Sequence, residues 1–233
     1  VFIVTAVLAI ISFLGLAKNM PNNKPDQKNP NIKEIIKIYK TIFSTKTLIK
    51  GGLIISISAL PMIGWIGLAP VLVMKTLGKG FEEYVIYQVI VFGGFIISSV
   101  GIQFMAGRFS FYSLITRGSI VGLLGLAMSC IGHNYIPLFI GGLFIASLGV
   151  GIFNGSIFRV AITSTGASNS MSAASLNIVQ SLSMACGLEI INYLSSIWNF
   201  SILSFSALNL TAGIITTLLC FNFANQIRSR EWQ

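Results

Sequence analysis

The sequence predicts an all-α membrane protein, a bundle of about seven transmembrane helices, and three observations lead to this fold class. Of the 233 residues, 54% are hydrophobic and only 9% are charged, whereas a soluble domain has about 25% charged residues. The hydrophobic residues form long runs that lack the alternation of transmembrane β-strands. Lys and Arg gather between alternate runs, which is the charge pattern of a multi-pass helical protein.

Seven apolar segments are candidate spans, because about 20 helical residues are needed to cross a hydrocarbon core of about 30 Å. They are residues 1–17, 48–74, 85–106, 114–131, 136–158, 173–194 and 200–223. The first segment is at the lower limit of length, and it opens on Val1 inside an apolar run. We therefore expect the sequence to be a fragment that starts part-way through a longer protein.

The basic residues predict how these spans are threaded. If residues 18–47 are cytoplasmic, alternation places all but two of the 15 Lys and Arg residues on the cytoplasmic side. The two outer residues are Lys75 and Lys79. The positive-inside bias predicts an outer N-terminal end and a cytoplasmic tail at 224–233. The net charge of +9 is therefore a topology signal, and we do not expect nucleic acid as a partner.

The connection at 18–47 has two parts. A polar stretch rich in Pro and Asn, MPNNKPDQKNPN, predicts a flexible linker. Residues 32–43 then place Ile and aromatic side chains on one helical face and lysines on the other, which predicts an amphipathic helix. Such a helix lies on the cytoplasmic membrane surface, with its lysines near lipid headgroups, or it packs on its own protein. The pattern leaves both alternatives open.

The 48–74 segment contains Pro61 and Pro70. Proline costs about 3 kcal/mol in the interior of a soluble helix, but packed neighbours re-satisfy the freed carbonyls in a membrane. We therefore expect a helix that is broken at two points, bends and lines a path. Small-xxx-small pairs occur at Gly118 and Gly122 and at Gly151 and Gly155, and each pair predicts close approach by another helix.

Polar residues within the spans are the candidate functional residues. Asn154 in the fifth segment needs a protein or water partner at membrane depth. In the sixth segment, Asn177, Gln180 and Met184 recur at helical spacing, which predicts a polar face towards the bundle interior. Glu189 is the only acidic residue within the predicted spans, so it is a candidate for proton or cation handling. The alternative is that Glu189 lies near the outer boundary and simply reaches water.

Several classes of chemistry find no support. The sequence has no Walker A loop, no HExxH, no Cys/His cluster and no GxSxG. Its three cysteines, Cys130, Cys186 and Cys220, lie in apolar runs and are not at metal-ligand spacing. We therefore predict a protein that is not an enzyme and that binds no metal.

Four blocks of sequence carry a resemblance: LPMIGWIGLAPVLVM, EEYVIYQVIVFGG, GVGIFNGSIFRV and SAASLNIVQSLSMACGLEI. Together with the basic linker, they resemble the MdfA-like multidrug/proton antiporters of the major facilitator superfamily. The resemblance implies twelve helices in two six-helix halves around a substrate cavity. On that alignment, residues 1–17 correspond to the sixth helix and residues 48–223 to the C-terminal six-helix domain.

The resemblance also implies roles for particular residues. Six would face the drug cavity, namely Met62, Ile63, Ile66, Phe95, Asn177 and Met184. Four others match the family's residue type, namely Gln88, Gln180, Arg159 and Glu189. Arg108 and Arg159 would be cytoplasmic charges involved in gating. The family's main coupling acids and its key arginine lie in helices outside this sequence, and the inner loop GASNSMSAA lacks the basic residue expected near Asn169.

The implied function is efflux of lipophilic, often cationic drugs across a bacterial inner membrane, driven by the proton gradient with no other cofactor. Its partners would be lipophilic small molecules, protons, the bilayer and the N-terminal half of the same protein. One alternative is a transporter of the same fold for a metabolite or sugar, which would need more fixed charges in the spans. Another is a seven-span receptor or scaffold, for which an outer N-terminus is typical.

Overall fold

A computed structural model describes residues 2–19, 32–105 and 107–230, and these residues fold into eight α-helices. The helices are α1 Phe2–Asn19, α2 Ile32–Ser44, α3 Lys46–Pro70, α4 Phe81–Met105, α5 Phe111–Ile131, α6 Ile136–Thr163, α7 Asn169–Ile197 and α8 Ile202–Arg230. The chain divides into two compact units, Val1–Lys37 and Ile38–Gln233. The predicted linker, residues 20–31, lies outside the described residues.

The all-helical membrane fold predicted from composition is confirmed. Within the described residues, six helices are long and apolar enough to cross a membrane, and they correspond to the six segments predicted from residue 48 onwards. Residues 2–17 of the first predicted segment lie within α1, an 18-residue helix. The second unit therefore holds six candidate spans, preceded by the C-terminal part of α2.

The prediction that the second segment is broken at both prolines is wrong for one of them. Helix α3 runs without interruption through Pro61. Pro70 ends the regular α-helix, and residues Val71–Thr76 continue as a π-helix. At its end, the Leu77 N–H donates a hydrogen bond to the Leu72 carbonyl, five residues earlier, at 3.0 Å. A proline cannot donate a backbone hydrogen bond and its ring crowds the preceding turn, so the bonding pattern changes register after Pro70.

The helices extend beyond several predicted boundaries. Helix α8 continues past 223 to Arg230, so residues 224–230 of the predicted tail are helical. Phe223 and Ala224 are fully buried there, and Ile227 packs against the same buried cluster. Burial of these side chains stabilises the extra turns. Helix α7 likewise begins at Asn169, where the Ser168 hydroxyl accepts a hydrogen bond from the Met171 N–H, as an N-cap residue does.

Two buried clusters hold the six-helix unit together. Around Trp65, the rings of Phe139 and Phe205 pack at centroid distances of 5.9 and 6.4 Å. The second cluster, around Ile157 and Phe223, lies nearer the end of the bundle where α3 begins. Buried serines do not disturb these clusters, because most of their hydroxyls donate to a carbonyl one turn earlier in the same helix.

Close helix packing depends on glycines, but only one predicted glycine pair has its predicted role. Gly118 and Gly122 of α5 lie against α6, where Gly149 takes the place of a larger residue. Gly151 faces Ser98 of α4, whereas a side chain at Gly155 would meet no atom within 4 Å. The predicted pair of Gly151 and Gly155 therefore does not mark one helix contact, because only Gly151 of this pair faces a neighbouring helix.

Candidate substrate-binding face

The helices that carry the candidate residues are aligned by a parallel contact between α3 and α7. A Cβ atom built on Gly52 of α3 would contact Leu176 and Val179 of α7. A Cβ atom on Gly64 would contact Ile191, and one on Gly67 would contact Leu188. Both helices therefore run in the same direction, and residues at matching positions lie at the same depth. This alignment places Asn177 and Gln180 beside the first half of α3, and Met184 and Glu189 beside its second half.

A hydrogen bond between two side chains joins the candidate residue Asn154 of α6 to α3. The Ser58 hydroxyl lies 3.3 Å from Oδ1 of Asn154, and it also lies 2.8 Å from the carbonyl of Ile55. Asn154 is half-buried and Ser58 is buried. The amide of Asn154 is therefore held at the α3–α6 contact, and its remaining polar atoms stay available to a ligand.

On α3, the three candidate apolar residues differ in how far their side chains are exposed. Met62 and Ile63 are half-buried, and Ile66 is 49% exposed. Met62 also lines a small internal cavity together with Ser58 and Pro61. The flexible thioether of Met62 therefore lies between the bundle interior and the face that the six-helix unit leaves open, a position that suits contact with varied apolar molecules.

The two candidates on α4 are more enclosed. Gln88 is half-buried, its Nε2 donates to the Tyr84 hydroxyl at 3.0 Å, and its Oε1 has no hydrogen-bond partner among the described residues. Phe95 is half-buried and packs against the cluster around Ile157. A buried carbonyl oxygen without a hydrogen-bond partner costs free energy. The side-chain oxygen of Gln88 is therefore a group that can accept a hydrogen bond from a ligand.

The candidates on α7 divide between the interior and the open face. Gln180 and Met184 are half-buried, and the carbonyl of Gln180 lies 3.5 Å from the Ser56 hydroxyl. Asn177 and Glu189 are exposed. The backbone of Gln180 therefore adjoins α3, whereas the side chain of Asn177 is exposed on the same helix. Glu189 lies eight residues before the end of α7 at Ile197.

The two candidate arginines are exposed at the end of the bundle where α3 begins. The guanidinium of Arg159 lies 5.6 Å from the centre of the Phe111 ring, a cation–π contact between α6 and α5. A groove between α4, α5 and α6 is lined by Arg159, Gln103 and Ser110. Arg108 lies in the short connection between α4 and α5. The structure therefore places both at one end of the bundle, remote from the candidate residues of α3.

Sequence reasoning missed Ser58 and the hydroxyls that line the internal cavity, namely Ser119, Ser147, Thr216 and Thr217. Serine and threonine within a membrane helix normally bond to their own backbone, so their presence in a span indicates no site. The available signal was the recurrence of hydroxyl residues in spans that also contain Gly. Only the packing of the helices shows that these residues meet.

A family model described as MFS/sugar transport protein matches residues 1–223. The chain is 27% identical to multidrug resistance protein MdtM of Escherichia coli O157:H7, over 99% of the chain and 57% of that relative. It is 26% identical to multidrug transporter MdfA of Yersinia pestis bv. Antiqua (strain Angola), over 92% of the chain and 53% of that relative.

The chain thus spans about half the length of these curated relatives. The resemblance to MdfA-like proteins predicted from four short blocks is confirmed by a match over nearly the whole chain. The six apolar helices and the family match together indicate a multi-pass membrane protein. The chain belongs to the MFS/sugar transport protein family of the major facilitator superfamily.

Proposed function

We propose that the full-length protein exports lipophilic, often cationic drugs in exchange for protons, and that this chain forms one wall of the drug cavity. The observation that carries the proposal is the mixed surface of α3, α6 and α7, where exposed apolar side chains lie beside a few amides. An apolar site with few polar groups suits broad recognition of lipophilic molecules. The names of the relatives, multidrug transporters, support the same cargo class.

The distribution of burial supports a partner for the open face. In an apolar stretch of 18 residues from each helix, only 17% of the residues are buried in α4 and in α7, compared with 56% in α6. Large side chains such as Val89 on α4 and Leu182 on α7 are more than 60% exposed. Some of this surface faces lipid, and we propose that the N-terminal half of the same protein covers the rest and closes the drug cavity.

Within this cavity, we assign apolar contacts to Met62, Ile63, Ile66, Phe95 and Met184, and polar contacts to Gln88, Asn154, Asn177 and Gln180. Glu189 is proposed as a group that handles protons or cations at the outer part of α7. Arg108 and Arg159 are proposed to act in cytoplasmic gating. These roles come from residue type and from the resemblance to MdfA-like proteins, and each can be tested by substitution.

The test of the function is transport by the full-length protein in proteoliposomes. An imposed pH gradient should drive movement of a fluorescent lipophilic cation, and collapse of the gradient by a protonophore should abolish it. Drug movement that is indifferent to the gradient would contradict proton coupling. Movement of sugars but not of lipophilic cations would contradict the cargo and favour the alternative transporter of the same family.

Two methionines of one predicted span, Met62 in α3 and Met74 in the π-helical segment that follows it, provide a matched test of the site. Met62→Ala should lower transport of the lipophilic cation several-fold, because it removes a flexible apolar contact at the cavity wall. Met74→Ala is the control, since Met74 is also exposed in part but lies in the π-helical segment at the other end. Equal transport by both variants would exclude Met62 from the site.

A further inference from the structure

A groove lies between α4 and α5 at the end of the bundle where α3 begins, and α6 forms its floor. Its volume is about 570 Å³. Both α4 and α5 pack against α6, since a Cβ atom built on Gly94 of α4 or on Gly118 of α5 would meet α6. The residues that line the groove include Ile102 and Gln103 of α4, Phe111 and Leu114 of α5, and Gly155 and Arg159 of α6.

The groove lies on the opposite side of α6 from the candidate substrate-binding face. Asn154 of α6 is hydrogen-bonded to Ser58 of α3. Arg159 follows five residues later, which turns its side chain about 140° around the helix axis from that of Asn154, at about 100° per residue. Between them, a Cβ atom built on Gly155 would meet no atom within 4 Å. The groove therefore opens away from α3 and is separate from the proposed drug cavity.

One end of the groove is polar and lies where the helices end. Arg159 is four residues before the last residue of α6, and Gln103 is two residues before that of α4. Both side chains are exposed. Ser110 caps the start of α5, where its hydroxyl accepts from the Ser113 N–H, and the start of a helix favours negative charge. Guanidinium and amide groups at this level can therefore donate hydrogen bonds to an anion.

The deeper part of the groove is apolar. Leu114 is buried there, and Ile102 and Phe111 are half-buried. Gly155 lies about 6 Å deeper than Arg159 along α6, at about 1.5 Å per residue. A ligand that fills the groove therefore needs an apolar part beside Gly155 and a polar part beside Arg159. A phospholipid at the boundary of a bilayer has both parts in this order.

The charges around the groove favour an anion. Arg108 lies between two residues that line the groove, and the Arg117 guanidinium is 5.7 Å from the centre of the Phe109 ring, which also lines it. Among the described residues of the six-helix unit, acidic side chains occur only in the first turn of α4, at the opposite end, and in the later half of α7, namely Glu82, Glu83 and Glu189. No acidic residue of the described unit therefore neutralises these arginines.

We propose that this groove binds an anionic phospholipid, such as phosphatidylglycerol, from the bilayer leaflet at this end of the bundle. The headgroup phosphate accepts hydrogen bonds from Arg159 and Gln103, and one acyl chain lies over Gly155 between Ile102 and Leu114. Basic pockets between transmembrane helices are known to bind anionic headgroups. A soluble anion would leave the apolar part empty, and a zwitterionic lipid would bring a positive group towards the arginines. The inference does not rest on the proposed cargo, because it requires only that the chain lies in a membrane.

Photo-crosslinking from inside the groove tests the proposal on the full-length protein. Phe109 lines the groove and is 41% exposed, so Phe109→p-benzoylphenylalanine places a photoreactive ring there. In nanodiscs with equal amounts of phosphatidylglycerol and phosphatidylcholine of the same acyl chains, mass spectrometry should find several-fold more crosslinks to phosphatidylglycerol. Leu124→p-benzoylphenylalanine is the control, because Leu124 is 62% exposed on α5 and lies outside the groove. That position should crosslink the two lipids about equally.

Three variants of the Phe109-labelled protein separate a lipid site from general attraction to a basic surface. Arg159→Gln should remove the preference for phosphatidylglycerol. Arg228→Gln should keep it, because Arg228 is an exposed arginine that contacts the Tyr112 ring instead of lining the groove. Gly155→Leu fills the groove with every charge kept, and it should also remove the preference.

Three outcomes would overturn the proposal. One is equal crosslinking of the two lipids from position 109 in the parent protein. Another is an equal loss of preference in Arg159→Gln and Arg228→Gln, since the basic end as a whole would then attract the lipid. The third is an unchanged preference in Gly155→Leu, which would put the lipid outside the groove. The three substituted residues are exposed, so these variants leave the buried clusters intact.

Discussion

At the scale of single residues, Gly149 lies at one of the points where the backbones of α5 and α6 are in close contact. A Cβ atom built on Gly149 would lie 2.7 Å from the Gly118 carbonyl oxygen and even nearer to the backbone of Gly122. These neighbours are main-chain atoms of a packed helix, so they cannot move aside as a flexible side chain can. In a membrane, such close approach supplies much of the helix–helix attraction.

Gly149→Ala should therefore lower the free energy of unfolding by about 1–3 kcal/mol, the usual cost of overpacking a core. The measurement is the thermal unfolding temperature of the full-length protein in detergent. Gly155→Ala on the same helix is the control, because a side chain there meets no atom within 4 Å and alanine favours the helix by about 0.5–1 kcal/mol. A Gly149→Ala variant as stable as Gly155→Ala would contradict this account of the contact.

Asn154 permits a second prediction, which separates function from stability. Its Oδ1 accepts from Ser58, but that hydroxyl is closer to the Ile55 carbonyl. Asn154→Ala therefore leaves Ser58 satisfied, and we expect a loss of stability below about 1 kcal/mol. Transport of the lipophilic cation should fall several-fold or change in selectivity. A marked drop in unfolding temperature with unchanged transport would show that Asn154 is only structural.

At this scale, residue type predicted which positions need a close contact or a polar partner, but not which residues provide it. The glycine spacing predicted close contact at Gly118 and Gly122, which occurs, and also at Gly155, which does not occur. A spacing of four marks one helix face, but the neighbouring helices decide which face is packed. For the same reason, Asn154 could be identified as polar at membrane depth, whereas its partner Ser58 could not.

At the scale of single helices, α3 shows how two prolines can act differently in one segment. The helix remains α-helical through Pro61, whereas after Pro70 it becomes a π-helix over Val71–Thr76. Pro61 lies in the packed middle of the bundle, where α6, α7 and α8 surround α3. Pro70 is exposed near the end of the helix, where fewer neighbours oppose a change of register. The sequence showed both prolines but not this difference in surroundings.

Pro70→Ala should restore regular α-helical bonding, because alanine has the N–H that proline lacks and no ring to crowd the preceding turn. Loss of the π-helical register would rotate the following residues by about 100°, one residue step of an α-helix. In the full-length protein, the spin-label distance between Lys75→Cys and Trp198→Cys should therefore shift by roughly 3–5 Å, given a helix radius of about 2.3 Å.

Pro61→Ala in the same labelled protein is the control for that measurement, since the helix around Pro61 is already α-helical. Its distance distribution between positions 75 and 198 should match that of the parent protein. An unchanged distribution in Pro70→Ala would mean that packing, and not the proline, fixes the π-helical segment.

At the scale of the whole six-helix unit, basic side chains are segregated to one end. Lys50 donates to Gln226 at 3.2 Å, which joins the start of α3 to the end of α8. Arg228 lies 5.3 Å from the centre of the Tyr112 ring, and Arg117 lies 5.7 Å from that of Phe109. At the opposite end, Thr76 lies near Phe200, and among the described residues of this unit the only lysines there are Lys75 and Lys79.

This arrangement supports the threading predicted from the sequence, and it allows a test of the whole topology. Basic residues are retained on the cytoplasmic side during insertion, so the end that carries Lys50, Arg117 and Arg228 should be cytoplasmic. In a cysteine-free full-length protein, Lys79→Cys should react with a membrane-impermeant maleimide added to intact cells. Arg228→Cys and Lys28→Cys should react only after the cells are permeabilised, because the bilayer shields them. Labelling of Lys28→Cys in intact cells, with Lys79→Cys protected, would reverse the orientation and with it the direction assigned to gating by Arg108 and Arg159.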